Sequence, residues 1–214
     1  AGARAAYIIK EPIVAAIGAD IPIGAASGHM IIDIGGGTTD IAVIALSGIV
    51  TDQSIRVAGD DFTLDIVEYI RRQHNILIGE RTGEQVKIHV GSALQDLENP
   101  PEDFAVHGRD LLTGIPKQVT VAYTEIAGCL DKSISKIEEA IMKALESTPP
   151  ELASDIYRKG IYLTGGGALL RGLDKRIAMK TKLPVQIADD PLRAVVRGTG
   201  IALKNRHRYT FLMS

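Results

Sequence analysis

Tryptophan is absent, and aromatic residues make up only 4% of the chain. A core without large rings must be filled by aliphatic side chains, which the 45% hydrophobic composition supplies. A single cysteine, Cys129, excludes a disulfide framework or a multi-cysteine metal centre and fits a reducing compartment. The histidines, at 29, 74, 89, 107 and 207, stand at no metal-ligand spacing. Charge of one sign is scarce too. The net charge is -2, so no basic field exists to hold a nucleic acid, and no like-charge block reads as a tail. No apolar run approaches the roughly 18 residues of a membrane span. Ala1-Gly2-Ala3-Arg4 is neither an initiator Met nor a signal peptide, so the 214 residues are expected to be a fragment or processed piece.

Glycine is what the chain has in quantity, with 22 residues. Two runs of three come directly after apolar stretches. Residues 30–34 read as a buried strand, Gly35-Gly36-Gly37 as a tight turn, and residues 41–46 as the returning strand. A third strand over 49–57 completes a meander. The period then changes to that of a helix, over 61–74 with Asp61 as its cap and over 82–97 with Val86, Val90, Ala93 and Leu97 on one face. Residues 102–122 read as short strands. The longest helix starts near Thr124 and carries Ile126, Leu130, Ile134, Ile137, Ile141 and Leu145 as a stripe. Thr148, Pro149 and Glu151 spell a capping box for the next helix, which Gly160 ends. A strand over 160–164 runs into Gly165-Gly166-Gly167. Then come a helix over 168–179 with Leu169, Leu170, Leu173 and Ile177 inward, a short strand over 183–187 and a last helix from 190 to 203, interrupted by Gly198 and Gly200. The tail over 205–214 is basic, then apolar.

Asp33 ends a buried strand just before three glycines and two threonines. Glycines let backbone N–H groups approach an anion, hydroxyls add donors, and an acid at the strand end can hold Mg2+ through water. Residues 33–40 therefore read as a phosphate hairpin. Thr164-Gly165-Gly166-Gly167 between strand and helix suits an anion or nucleotide, though close helix–strand packing also selects glycine. Glu11-Pro12 opens an apolar helix and, taken alone, is ordinary capping. Glu84 and Lys87, three apart on one helix, are by default a surface ion pair.

Together these residues resemble the actin/Hsp70/sugar-kinase ATPase superfamily, and within it the MreB branch of bacterial actin-like, rod shape-determining proteins. Residues 33–44 are similar to the second phosphate motif and residues 10–18 to the connecting helix. Pro149 through Leu152, with Leu163 through Leu173, resemble the adenosine motif of that branch. The resemblance implies an α/β fold, an actin-like (ribonuclease H-like) lobe whose mixed sheet is flanked by helices, with a small inserted α+β subdomain. It implies ATP or ADP with Mg2+ as cofactors. Glu11 would orient the attacking water and Asp33 would hold Mg2+ through water. Gly35, Gly36, Gly37, Thr38 and Thr39 would bind the β- and γ-phosphates. Glu84 and Lys87 would reach ribose and adenine, and Gly165, Gly166, Gly167 and Ala168 would face the α-phosphate and adenosine.

The same resemblance implies self-association into filaments, with the cell-wall elongation machinery as partner. Nucleic acid is not among the implied partners. The implied place is the cytoplasm, at the inner face of the cell membrane, with the membrane-binding segments outside this chain. The family's first phosphate loop is also expected outside it, on an opposing lobe. Residues 25–61 with 126–192 would form the nucleotide-binding core, 62–125 the inserted subdomain, 1–24 the connecting helix and a remnant of the first lobe, and 193–214 the C-terminal helix and tail. Residues on the outer helices, Ile13, Val14, Ile17, Val195 and Val196, are then expected to lie partly uncovered. An Hsp70-like chaperone lobe and a non-hydrolysing actin-fold scaffold are the rival readings.

Overall fold

The computed structural model describes residue 2, residues 5–207 and residue 209. The apolar end at 210–213 lies outside the described residues. Strands β1 (His29–Ile34), β2 (Thr39–Ala45) and β3 (Gly48–Ile55) form the expected antiparallel meander. On the other side of β1, β7 (Ile161–Thr164) and β8 (Val185–Ile187) add in parallel, giving the order β3-β2-β1-β7-β8. The central β1 is buried along its whole length. Its side chains alternate between two apolar layers. Met30, Ile32 and Ile34 enter the larger core, with Leu130, Ile134 and Ile137 of α4 (Tyr123–Glu146). Ile31 enters a smaller core with Ile13, Ala16 and Ile17 of α1 (Glu11–Gly18) and Ala202 of α7 (Ala194–Lys204). A second sheet, β4 (Ile76–Leu77), β5 (Phe104–Asp110) and β6 (Pro116–Val121), is antiparallel throughout. It packs with α2 (Gly59–His74) and α3 (Glu80–Val90).

Several boundaries differ from the sequence expectation, each for a local reason. Helix α2 starts at Gly59, and Asp61 sits in its first turn. There its carboxylate accepts the Ala58 N–H at 2.9 Å instead of capping from outside. Helix α3 ends at Val90 because the chain then bridges to Arg171, with the Ala93 N–H on the Arg171 carbonyl at 2.8 Å. Thr148 closes the helix before it, not the one after, by donating to the Ala144 carbonyl at 2.7 Å. Helix α5 (Pro150–Lys159) begins behind Pro149. The helix expected over 168–179 is a 3-10 turn, Gly166–Leu169, then α6 (Leu173–Thr181), separated by Gly172 at φ 73. Leu169 is accordingly exposed, not inward. The last helix opens as a 3-10 turn, Pro191–Arg193, and α7 runs through Gly198 and Gly200 without a break.

The expected exposure of α1 does not occur. Ile13, Val14 and Ile17 are all at most 5% exposed, because α1 lies between the sheet and α7. On α7, Val196 is open at 67%. Among the described residues, no helix is long and apolar enough to cross a membrane.

Candidate functional site

Strand parity puts Asp33 on the α1 side of the sheet, with Ile31. Antiparallel register sets it opposite Asp40 of β2. Asp33 is 4% exposed, and its Oδ1 has no hydrogen-bond partner among the described residues. Burial pushes its carboxyl up to about 6, a hydrogen bond from the Thr164 hydroxyl pulls the other way, and the charges of Glu11 and Asp40 add to the rise. A buried carboxylate beside two other acids and without a cation is an unfavourable arrangement. It invites a positive charge from outside the chain.

The two glycine turns flank this acid for different physical reasons. Gly165 has φ +80, and a Cβ there would sit 2.3 Å from the Ile34 carbonyl oxygen and 2.5 Å from Asp33 Oδ1. A Cβ on Gly167 would fall 2.2 Å from the Ile34 side chain. This second turn is glycine-rich because it packs onto the end of β1. In the first turn, Gly37 has nothing within 4 Å of a Cβ, and Gly36 meets only the Asp60 carboxylate at 3.3 Å. No protein packing accounts for those glycines. The turn is held from behind by the first turn of α2, where Gly59 N–H donates to the Gly35 carbonyl at 3.1 Å and Asp60 N–H to the Gly36 carbonyl at 2.8 Å. Peptides are planar and trans, so the N–H groups of Gly36 and Gly37 point the opposite way, free for an anion.

Glu84 and Lys87 are not a surface pair. The Lys87 ammonium, 15% exposed, lies 2.7 Å from Glu84 Oε2, 2.7 Å from the Gly59 carbonyl and 3.0 Å from the Thr63 hydroxyl. Burial works to raise the Glu84 carboxyl, but Lys87 and Thr63 outweigh it and the net shift is downward, so it is ionised.

These elements surround one cleft of about 560 Å³. Glu11, Asp33, Gly35, Gly36, Glu84, Lys87, Gly165, Gly166 and Gly167 all line it. Gly37, Thr38, Thr39 and Ala168 do not. The Thr39 hydroxyl is buried and donates to the Val57 carbonyl at 2.7 Å, and the Thr38 hydroxyl donates to Asp40 at 3.0 Å. Ala168 is fully buried. Sequence reasoning does not single out Asp60, Ile88 or Leu192. Asp60 directly precedes the expected cap and carries no motif of its own. Leu169 and Leu170 fall inside the adenosine-motif resemblance, and Ile88, Leu192 and Val195 complete an apolar wall with them from separate segments. Another groove, of about 600 Å³, lies by Arg176, whose guanidinium is committed to Glu138 and Asp131, each at 2.9 Å.

The mixed sheet, with Asp33 one residue from the end of its central strand and a glycine turn on either side, matches the actin-like fold of solved structures. MreB5 of Spiroplasma citri bound to ADP superposes with a TM-score of 0.93 at 44% identity, over 98% of this chain and 63% of that one. The same protein bound to AMPPNP gives a TM-score of 0.89 at 44% identity, over 94% and 60%. A family model described as MreB/Mbl protein matches residues 1–210, and the chain belongs to that family. The cell shape-determining protein Mbl of Bacillus subtilis (strain 168) is 47% identical over 204 residues, 95% of this chain and 61% of the relative. The cell shape-determining protein MreB of Escherichia coli (strain K12) is 48% identical over 204 residues, 95% and 58%. The chain thus spans 58–61% of the length of these curated relatives.

Proposed function

We propose that this chain is the nucleotide-binding half of a filament-forming, actin-like protein that directs cell-wall synthesis and so maintains rod cell shape. The observation that carries the reading is Asp33, a buried acid with an unpartnered oxygen among the described residues, in the lining of a cleft between two glycine turns. The ADP- and AMPPNP-bound relatives support the ligand class. The free N–H groups of the first turn receive the β- and γ-phosphates, and the apolar wall from Ile88 to Val195 takes the adenine. Residues 25–61 with 126–192 carry the site, 62–125 carry Glu84 and Lys87 to it, 1–24 bring Glu11, and in the C-terminal unit, 193–214, α7 braces Glu11's helix. Filament subunits and the elongation machinery at the inner face of the cell membrane are its partners.

Mg2+ fits Asp33. No cluster of three or more His, Cys, Asp or Glu gathers among the described residues to cage a metal. A cation that keeps most of its waters and leans on phosphate oxygens needs only one such acid. When bound, Mg2+ neutralises charge on the phosphates. Glu11, exposed at the first position of α1 and lining the cleft, holds the attacking water as a hydrogen-bond acceptor. Hydrolysis on this design is positioning and electrostatics, coupled to polymerisation.

The test is a thermal melt with and without millimolar Mg-ADP and Mg-ATP, with a fluorescent nucleotide titrated in parallel. A ligand that binds only the folded chain must raise its stability. No shift and no fluorescent binding would sink the reading.

A further inference from the structure

We infer that Arg171 is a positioning residue, which holds Ile88 beside Leu170 in the apolar wall of the cleft. The inference rests on the proposed nucleotide site and gives its adenine side a brace outside the cleft lining. The wall is assembled from segments far apart in the chain. Ile88 comes from α3, and Leu169 and Leu170 come from the 3-10 turn after β7 and its C-cap. Apolar side chains attract without direction, so they do not by themselves fix the distance between such segments. A helix also leaves its last four carbonyls without partners inside it, and α3 ends beside the wall. Arg171 meets both needs. Its Nη1 donates to the Ile88 carbonyl at 3.0 Å and to the Gly91 carbonyl at 3.5 Å. A cation at this end of a helix suits the helix dipole as well.

The same residue grips the segment from its backbone. The Arg171 carbonyl accepts the Ala93 N–H at 2.8 Å, within the parallel bridge between Ser92 and Arg171. Glycines on both chains let the segments meet. A Cβ on Gly91 would lie 3.0 Å from Leu170 Cδ1, and one on Gly172 would lie 3.0 Å from Leu94 Cδ1. The backbone bond and the glycines decide where the two segments touch. The guanidinium then fixes the end of α3, three to five residues back, where Ile88 sits. The carbonyl it holds belongs to a residue whose side chain lines the cleft, and Arg171 directly follows Leu170, which lines it too. Arg171 itself is not in that lining, so it acts on a base only through these two neighbours.

The probes are ADP, adenosine and pyrophosphate, each titrated with Mg2+ into the parent chain, Arg171→Met and Arg171→Lys. Positioning of the wall predicts that Arg171→Met weakens ADP and adenosine by the same factor, about fivefold for one lost hydrogen bond, and leaves pyrophosphate unchanged. Amide hydrogen exchange at Gly91 and Ala93 should quicken in the same variant without any ligand. Arg171→Lys keeps the charge without the reach of the guanidinium, and it should act in the same direction more weakly. It decides the matter by the same criteria if Arg171→Met does not fold. An equal loss on all three probes, the mark of general destabilisation, overturns the inference, and so does unchanged binding of ADP. Both results leave the nucleotide site standing. A parent chain that binds none of the three overturns the nucleotide reading, and this inference with it.

Discussion

Gly18 and Gly198 face each other where α1 crosses α7. A Cβ on Gly18 would lie 1.8 Å from the Ala194 carbonyl oxygen, and a Cβ on Gly198 would lie 1.8 Å from that of Val14. The two backbones touch, so no side chain can move to relieve a substitution. The contact bears on the site because α1 starts with Glu11, α7 carries Val195, and both residues line the cleft. Arg197 reinforces the crossing by donating to the Gly18 carbonyl at 2.7 Å.

Gly198→Ala should therefore separate the helices at a cost of about 3 kcal/mol, the upper range for overpacking. In a domain of this size that is roughly 6–12 °C in Tm. Gly200→Ala, two residues on and with nothing within 4 Å of its Cβ, is the control. It should be neutral or stabilising by up to about 1 kcal/mol through helix propensity. Paired thermal melts decide. Equal Tm values for the two variants would refute the backbone contact.

Asp33 makes a pH prediction. Its folded pKa is about 6, against 3.8 for the free group, so between those values the folded state holds a proton that the unfolded chain has lost. Stability from this group is present below roughly pH 4 and is lost as pH rises to about 6, a total of about 3 kcal/mol for a two-unit shift. His29 slopes the other way. Burial and then Lys159 lower its pKa, against a pull upward from Asp155, so its contribution falls as pH drops below 6.5. The informative quantity is the difference between the parent and Asp33→Asn across pH 4–7. The variant should gain on the parent as pH rises, and Mg-ADP should erase that advantage. Parallel pH profiles for the two proteins would exclude the shift.

Legibility in the sequence tracks the range of the forces involved. The meander, the acid-ended strand and the stripe of α4 rest on period and neighbouring turn residues, and the chain displays both. Helix ends are legible only where local chemistry decides them. Thr148 looks like a cap for α5, yet its hydroxyl finds the carbonyl behind it first. The end of α3 depends on Arg171, far along the chain, and no window around Val90 contains that information. In the site, residue types mark Asp33 and the glycines, but not their reasons. Only the packed structure separates Gly165, which the fold requires, from Gly37, which it does not.

That separation predicts opposite phenotypes. Gly165→Ala combines a φ of +80 with overlap on the Ile34 carbonyl, and it should cost at least about 2 kcal/mol of stability. Gly37→Ala should change stability by less than about 1 kcal/mol, since its Cβ meets nothing. It should nevertheless weaken pyrophosphate or ADP, because the methyl group narrows the approach to the turn. Melts and titrations on both variants check this. Unchanged ADP affinity in Gly37→Ala would remove the turn from the phosphate site.

The last prediction concerns turnover. The family resemblance places the first phosphate loop on an opposing lobe, so on the proposed reading the cleft of this chain would meet a nucleotide from one side only. One side can bind, but it cannot exclude water or hold an attacking water in line, and positioning supplies most of the rate. These 214 residues alone should hydrolyse ATP at background rate. Joined to an N-terminal lobe of the family, activity should appear and rise with polymer, because closure completes the site. In that protein Glu11→Ala should abolish hydrolysis with little change in nucleotide affinity, since a water-orienting carboxylate acts mainly on the transition state. Its loss from the first turn of α1 should cost stability no more than about 1 kcal/mol. Asp33→Ala should weaken Mg-nucleotide binding as well. Phosphate release and nucleotide affinity, measured for both variants, separate the roles. If Glu11→Ala turns over like its parent, Glu11 is a helix-start residue and the water is held elsewhere.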